Sequence, residues 1–393
     1  MNNNGYQVWG EHLIDQGAIE QMENAMALPI SRQGALMADA HVGYGLPIGG
    51  VLATDVDKII PYAVGVDIAC RVKLSVFPIK AKELNTHTES YKHILLQNTN
   101  FGMGGVINEK VDTSIFDRAI WQELPILKKL KNRAIQQLGT SGSGNHFVEF
   151  GEVRFIDDMD GLVDKDYVYV GLLSHSGSRG LGANIANHYS KMAMNETSLP
   201  RELRHLAWLD INSELGQEYW MAMNLAGDYA SENHREIHDK IIKSLECQPI
   251  LQVENHHNFA WIEKLEDGQE VMVHRKGATP AGKDVLGFIP GTMADPGFLV
   301  KGLGKQASIN SAAHGAGRHM SRRKAKSSID AKAWRNLLDK KGIHLLSAGL
   351  DEAPMAYKNI QEVMNAQDDL VEILARFNPK IVRMAEGHER PED

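Results

Sequence analysis

The sequence predicts an α+β protein, on three observations: short apolar runs broken by glycine in both halves, one block with helical spacing between them, and no internal repeat. Residues 35–77 carry the first runs, with Gly49-Gly50-Val51-Leu52-Ala53 and Arg71-Val72-Lys73-Leu74-Ser75-Val76 as short strands between turns. Residues 168–173 read as a further buried strand. From about 184 to 245 the period changes: Tyr219, Met223, Ala226, Ala230, Ile237 and Ile241 recur at helical spacing, so this stretch is expected to be a helical insertion. Strands are expected again over 271–274, 285–289 and 297–300. Residues 351–377 read as a closing helix-rich segment stopped near Pro379. With no linker of low complexity, the chain is expected to be one domain over 1–393.

Of 393 residues 43% are hydrophobic and 23% charged, which excludes a largely disordered or collagen-like chain. No apolar run reaches the roughly 18–20 residues that span a bilayer. The start, Met1-Asn2-Asn3-Asn4-Gly5, has neither a basic region nor an apolar stretch behind it, so a cytoplasmic protein without membrane contact is expected. Cys70 and Cys247 are the only cysteines, which fits a reducing compartment. The net charge of −8 gives no general basic field, and a nucleic-acid substrate therefore requires a local basic patch or bound metal ions. Arg322-Arg323-Lys324-Ala325-Lys326 and Lys128-Lys129-Leu130-Lys131 are two such patches; each reads as an ordinary solvated helix face or as a nucleic-acid track.

Glycine, histidine and carboxylate residues converge in seven stretches: 39–45 (Asp-Ala-His-Val-Gly-Tyr-Gly), 65–71, 142–149, 175–180, 255–258, 274–279 and 314–318 (His-Gly-Ala-Gly-Arg). Glycine lets backbone N–H groups approach an anion and imidazole binds a borderline metal, so this mixture suits a phosphate or metal site. Asp67 and Cys70, three apart, can face one ion, and a thiolate can bridge two; the competing reading is a buried structural cysteine. His146, His175 and His257 would complete the ligand sets, with His256 the weaker half of its pair because adjacent strand residues face opposite ways. Arg179, Arg318 and Arg322 follow glycine-rich turns and could fork a phosphate of an RNA, or be solvated surface arginines.

These segments, in this order from Asp39 to Gly387, resemble the RtcB family of RNA-splicing ligases. The resemblance implies that family's compact fold, mixed β-sheets around a metal-lined cleft, and an activity joining RNA 3′-phosphate or 2′,3′-cyclic phosphate ends to 5′-hydroxyl ends with GTP. It implies two manganese ions: Asp67, Cys70 and His146 at one, Cys70, His175 and His257 at the other. His314 matches the nucleophile that becomes guanylylated. Asn145, Phe147, Glu149, Ala316, Gly317, Arg318 and Tyr357 fall where the family contacts the nucleotide, with Glu149 placed to accept hydrogen bonds from guanine. Relatives often use a small acidic activator, archease, so such a partner is implied by analogy.

The chain departs from the pattern in places. Asn255 and Ala313 stand where many relatives carry cysteine. The family tail places a lysine in the guanine pocket, whereas this tail reads Arg383-Met384-Ala385-Glu386-Gly387, which implies either an anion, Glu386, against the base or a shifted tail in which Arg383 or Lys380 supplies the positive charge. Two other functions compete: a dinuclear metal phosphoesterase that acts on RNA ends without joining them, and an idle RNA-end binder.

Overall fold

The computed structural model describes residues 5–102, 104–106, 111 and 113–389; the amino-terminal Met1-Asn2-Asn3-Asn4 lies outside them. Alternating and buried apolar runs build two large sheets. The first has five strands in the order Tyr6–Val8, Ser31–His41, Ile48–Asp55, Glu270–Lys276 and Asn258–Lys264. The second runs Leu286–Ile289, Gly297–Gly302, Val371–Met384, Phe147–Phe155, Tyr169–Ser176, Arg71–Lys80 and Leu251–His256, with His344–Ser347 added parallel to Val371–Met384. Its two end strands approach one another, so the sheet is nearly a barrel. Asn255 bridges that gap: Oδ1 accepts from Phe288 N at 2.7 Å, and Nδ2 donates to Phe288 O at 3.2 Å and to Thr279 Oγ1 at 2.6 Å. An amide thus does here what a thiol could not, pairing both polar groups of an otherwise open edge.

The helical insertion is present as two helices, Arg179–Glu196 and Glu214–Leu245, joined through a 3₁₀ turn and the two-residue strand Leu209–Asp210. Ser213 caps the longer one, its Oγ accepting from Gly216 N at 3.1 Å. The predicted stripe from Tyr219 to Ile241 is buried throughout. No helix among the described residues is long and apolar enough to cross a membrane.

The 351–377 segment differs from the helix-rich expectation. It holds two 3₁₀ turns, Leu350–Glu352 and Pro354–Ala356, and one short helix, Ile360–Asn365; the strand Val371–Met384 then runs on through Pro379. Proline is tolerated there because the register with Phe147–Phe155 shifts between Pro379 and Ile381, a bulge that needs no ladder donor at that point.

A candidate metal and nucleotide cleft

Four neighbouring strands of the near-barrel end on the same side, and the loop residues at those ends carry the chemistry. Phe147 pairs with His175, Val72 with His175, and Arg71 with His256, so Cys70, His146, His175 and His257 are brought to one rim although up to 187 residues separate them. Asp67 joins them through a tight turn: Cys70 N donates to Asp67 O at 3.2 Å, with Ala69 at φ 58°. Gly177 is needed beside it, because a Cβ there would collide with the Asp67 carboxylate.

Two donor groups result, Asp67 with Cys70 and His146, and Cys70 with His175 and His257, all buried. Cys70 Sγ lies 3.2 Å from His175 Nε2 and 3.5 Å from His146 Nε2; His146 Nε2 is 3.0 Å from Asp67 Oδ2. His175 Nδ1 faces the Asn145 carbonyl at 3.1 Å and donates its proton there, which leaves Nε2 as a lone pair. That lone pair faces His257 Nε2 at 3.3 Å. Burial pushes His175 down to about 3 and His257 well below the usual imidazole range, so both rings are neutral near pH 7. Burial raises the Asp67 carboxyl, yet the hydrogen bond and charge of His146, the hydrogen bond from Cys70 and the Arg179 charge outweigh it and hold it low. The neutral imidazoles of His175 and His257, with His146, a thiol and an ionised carboxylate turned toward one another, form two donor groups that could hold divalent cations, and softness favours a first-row transition ion over magnesium or calcium.

His314 stands beside this set, its ring 4.8 Å from that of His257. It follows the short strand Ser311–Ala313, which pairs with Ala278–Pro280. Asp39, from the five-stranded sheet and 0% exposed, places Oδ2 2.6 Å from His314 Nδ1; the same oxygen accepts from the backbone N–H groups of His314 at 3.1 Å and Gly315 at 3.3 Å. A carboxylate at Nδ1 selects the tautomer whose Nε2 is a lone pair, the form able to act as a nucleophile. Gly317, at φ 70°, lets the chain pass the Asp39 carbonyl where a Cβ would collide.

The cleft between the sheets has a volume of about 560 Å³ and takes in Asp67, Cys70, His175, His257 and His314 at one end. Of the residues expected at a nucleotide, Asn145, Phe147, Glu149, Ala316, Gly317, Arg318 and Tyr357 all line it. Strand alternation explains the clustering: Phe147 and Glu149 share a face with Leu173 and His175 on one side and Val382 and Met384 on the other. Glu149 is 4% exposed, burial raises its pKa well above the carboxylate range, and its carboxyl has no hydrogen-bond or ion-pair partner among the described residues. Arg318 is fixed against Tyr357, donating to its hydroxyl at 3.0 Å and to Asp351 O at 2.8 Å.

Three residues sit differently from expectation. Arg322 lines the cleft, but its guanidinium is already paired with the buried Asp351 and Glu352, so it is not a free phosphate fork. Arg179 is 1% exposed and does not line the cleft; it donates to Thr140 Oγ1 at 3.0 Å and Gly102 O at 3.2 Å, acting from behind Asp67. Glu386 is exposed outside the cleft, 3.4 Å from His388, because the preceding strand ends at Met384 and carries the tail away. The anion expected against the base is therefore not there.

Sequence reasoning passed over Asp39, His41, Lys276, Glu352, Val382 and Met384, all of which but Asp39 line the cleft. Asp39, His41 and Lys276 lie in stretches already singled out, and their mixture with glycine was the available signal. Burial lowers Lys276 to about 7 while it donates to Tyr44 O at 2.5 Å and Leu46 O at 3.0 Å, holding the loop that covers the cleft.

Buried thiol, imidazole and carboxylate donors at strand ends, next to a carboxylate-oriented histidine, give the cleft the donor set of a metal-binding protein. The profile of the family described as "tRNA-splicing ligase RtcB" matches residues 21–124 and 117–385. The chain is 32% identical to "RNA-splicing ligase RtcB" of Escherichia coli strain K12, covering 92% of both chains. It is 31% identical to "tRNA-splicing ligase RtcB" of Thermococcus kodakarensis, over 94% of this chain and 91% of that one, and 31% identical to the protein of the same description in Nanoarchaeum equitans, over 95% and 92%. The chain belongs to the RtcB family.

Proposed function

We propose that the protein is an RNA ligase of RNA splicing or repair. It joins 3′-phosphate or 2′,3′-cyclic phosphate ends to 5′-hydroxyl ends through a histidine-GMP phosphoramidate at His314, and residues 1–393 form one catalytic domain. The observation that carries this reading is the Asp39–His314 pair, 2.6 Å apart, at the edge of a buried metal-type donor set. Asp67, Cys70 and His146 would hold one divalent ion and Cys70, His175 and His257 a second, with manganese the ion proposed. Bound there, the two ions would neutralise the triphosphate and stabilise charge on its oxygens.

The chain's own residues supply the rest. His314 Nε2 attacks the α-phosphorus of GTP; the P–N bond forms as the bond to pyrophosphate breaks, while Nδ1 keeps its proton and donates it in a hydrogen bond to Asp39, whose charge balances the positive charge that grows on the ring. The GMP group passes to the RNA 3′-phosphate, freeing His314, and the 5′-hydroxyl then displaces GMP to leave a phosphodiester. A cyclic phosphate is first opened by water.

Glu149 supports guanine as the base. A buried carboxyl without a partner costs free energy until donors arrive, and guanine offers two N–H donors on one edge where adenine offers a C–H and an unshared acceptor. The test is joining of labelled RNA ends with manganese and either GTP or ATP. Joined product with GTP alone is expected, and Glu149→Gln should weaken GTP use by about 10–100-fold, because the amide offers one acceptor oxygen to guanine's two N–H donors where the carboxyl offers two once those donors favour its ionised form. Release of phosphate or opening of the cyclic end without joined product, with GTP present, would instead establish the phosphoesterase.

A further inference from the structure

Residues 322–341 hold eight lysines and arginines against two aspartates, in a chain whose net charge is −8. They form two helices, Arg322–Ser328 and Ala331–Lys340, each with a side-chain cap: Ser321 Oγ accepts from Lys324 N at 3.2 Å, and Asp330 Oδ1 from Lys332 N at 2.7 Å. Three apolar residues of this unit, Ile329, Trp334 and Leu338, pack on Met293, Val382 and Met384. The last three line the cleft, so the helices form the outer layer of its wall with one layer of side chains between. Lys341 ties their far end to the same wall, donating to Ala294 O at 2.6 Å and pairing with Asp295 at 2.9 Å.

The cations of this unit fall into two sets. Arg322, Lys326 and Lys341 are paired with carboxylates. Arg323, Lys324, Lys332, Arg335 and Lys340 are exposed and have no ion-pair partner among the described residues. A rigid rim with five uncompensated cations beside the cleft of an acidic protein raises the local potential where a polyanion must enter. The other basic patch, Lys128–Lys131, offers no such placement: none of it lines the cleft, and Lys131 donates to Phe116 O at 2.6 Å.

We infer that this two-helix rim is the track on which the RNA backbone lies as its end enters the cleft, with the exposed cations contacting successive phosphates. The inference rests on the RNA-ligase reading for the identity of the polyanion. Phosphate contacts of this kind position a strand without reading its sequence, so binding should be strongly salt-dependent and nearly indifferent to sequence.

The test compares wild type with the triple variant Arg323→Gln/Lys324→Gln/Lys332→Gln, by anisotropy of a labelled single-stranded RNA with a 3′-phosphate across a salt series. About 0.7 of the logarithmic salt slope is lost per phosphate contact on a single strand, so the slope should fall by about 2 and the Kd should rise at least about 10-fold at low salt. Labelling of His314 by GTP alone serves as the fold control and should be unchanged. An unaltered Kd and slope would overturn the inference, as would a wild type that does not bind the RNA. Loss of poly-glutamate binding with RNA binding intact would also overturn it, assigning the rim to an acidic protein. If the wild type is never labelled by GTP, the ligase reading fails, while the salt slope still decides the rim.

Discussion

Asp39→Ala is expected to slow transfer of GMP to His314 by about 10²–10⁴-fold, the range that a positioned proton-holding group contributes to catalysis. Three donors converge on Asp39 Oδ2: the His314 ring and the N–H groups of His314 and Gly315. Without the acceptor, the ring loses its tautomer and its orientation together. Three donors, one of them fully buried, would also lose their partner, at about 1–3 kcal/mol for each that water does not reach, so Asp39→Asn is the necessary companion. Its amide oxygen can take the place of Oδ2 and keep all three donors, while its NH₂ falls where Oδ1 has no partner. The charge is lost, the two amide N–H groups now at the Oδ1 position find no acceptor, and the rate should fall by about 10–100-fold because a charge-assisted hydrogen bond is replaced by a neutral one. The measurement is the rate of label incorporation from α-labelled GTP in wild type and both variants. Equal rates in all three would remove Asp39 from the mechanism.

Cys70→Ala should have the other large effect, on metal content rather than on orientation. Cys70 belongs to both donor groups, whereas His146 belongs to one. Manganese titration by equilibrium dialysis is therefore expected to show two ions per chain in wild type, one in His146→Ala, and neither bound tightly in Cys70→Ala. The affinity loss should exceed the 10–100-fold that removal of a supporting hydrogen bond costs at a metal site. Cysteine also packs as a small hydrophobe, and replacing it by alanine costs only about 1 kcal/mol of stability, so the variant should keep its circular dichroism. Two ions held by Cys70→Ala with wild-type affinity would show that the thiol is the buried structural cysteine after all.

How much of this was legible beforehand depended on distance along the chain. Local periodicity exposed the strand Ile48–Asp55 and the stripe from Tyr219 to Ile241, because each is fixed by residues two to four apart. It failed over 351–377, where Pro379 reads as a stop and is in fact housed in a bulge set by the partner strand. The donor residues were legible by type, since histidine and cysteine among glycines are conspicuous. Their supports were not. Asp39 meets His314 across 275 residues, and Val382 and Met384 reach the cleft only because strand pairing sets them opposite Glu149 and Phe147. The two charged residues whose placement departs most from expectation, Arg179 and Glu386, show the same limit. Burial of a guanidinium behind Asp67 and the outward turn of a tail after Met384 are decisions of tertiary packing that a single sequence does not display.

The central claim is that His314 forms a covalent bond to GMP. Incubation of the purified protein with manganese and α-labelled GTP, followed by denaturation, tests it directly, with His314→Ala as the control. Acid-labile label that stays on the wild-type chain and is absent from His314→Ala is the result predicted. Label retained by His314→Ala, or label taken from ATP as readily as from GTP, would contradict the account.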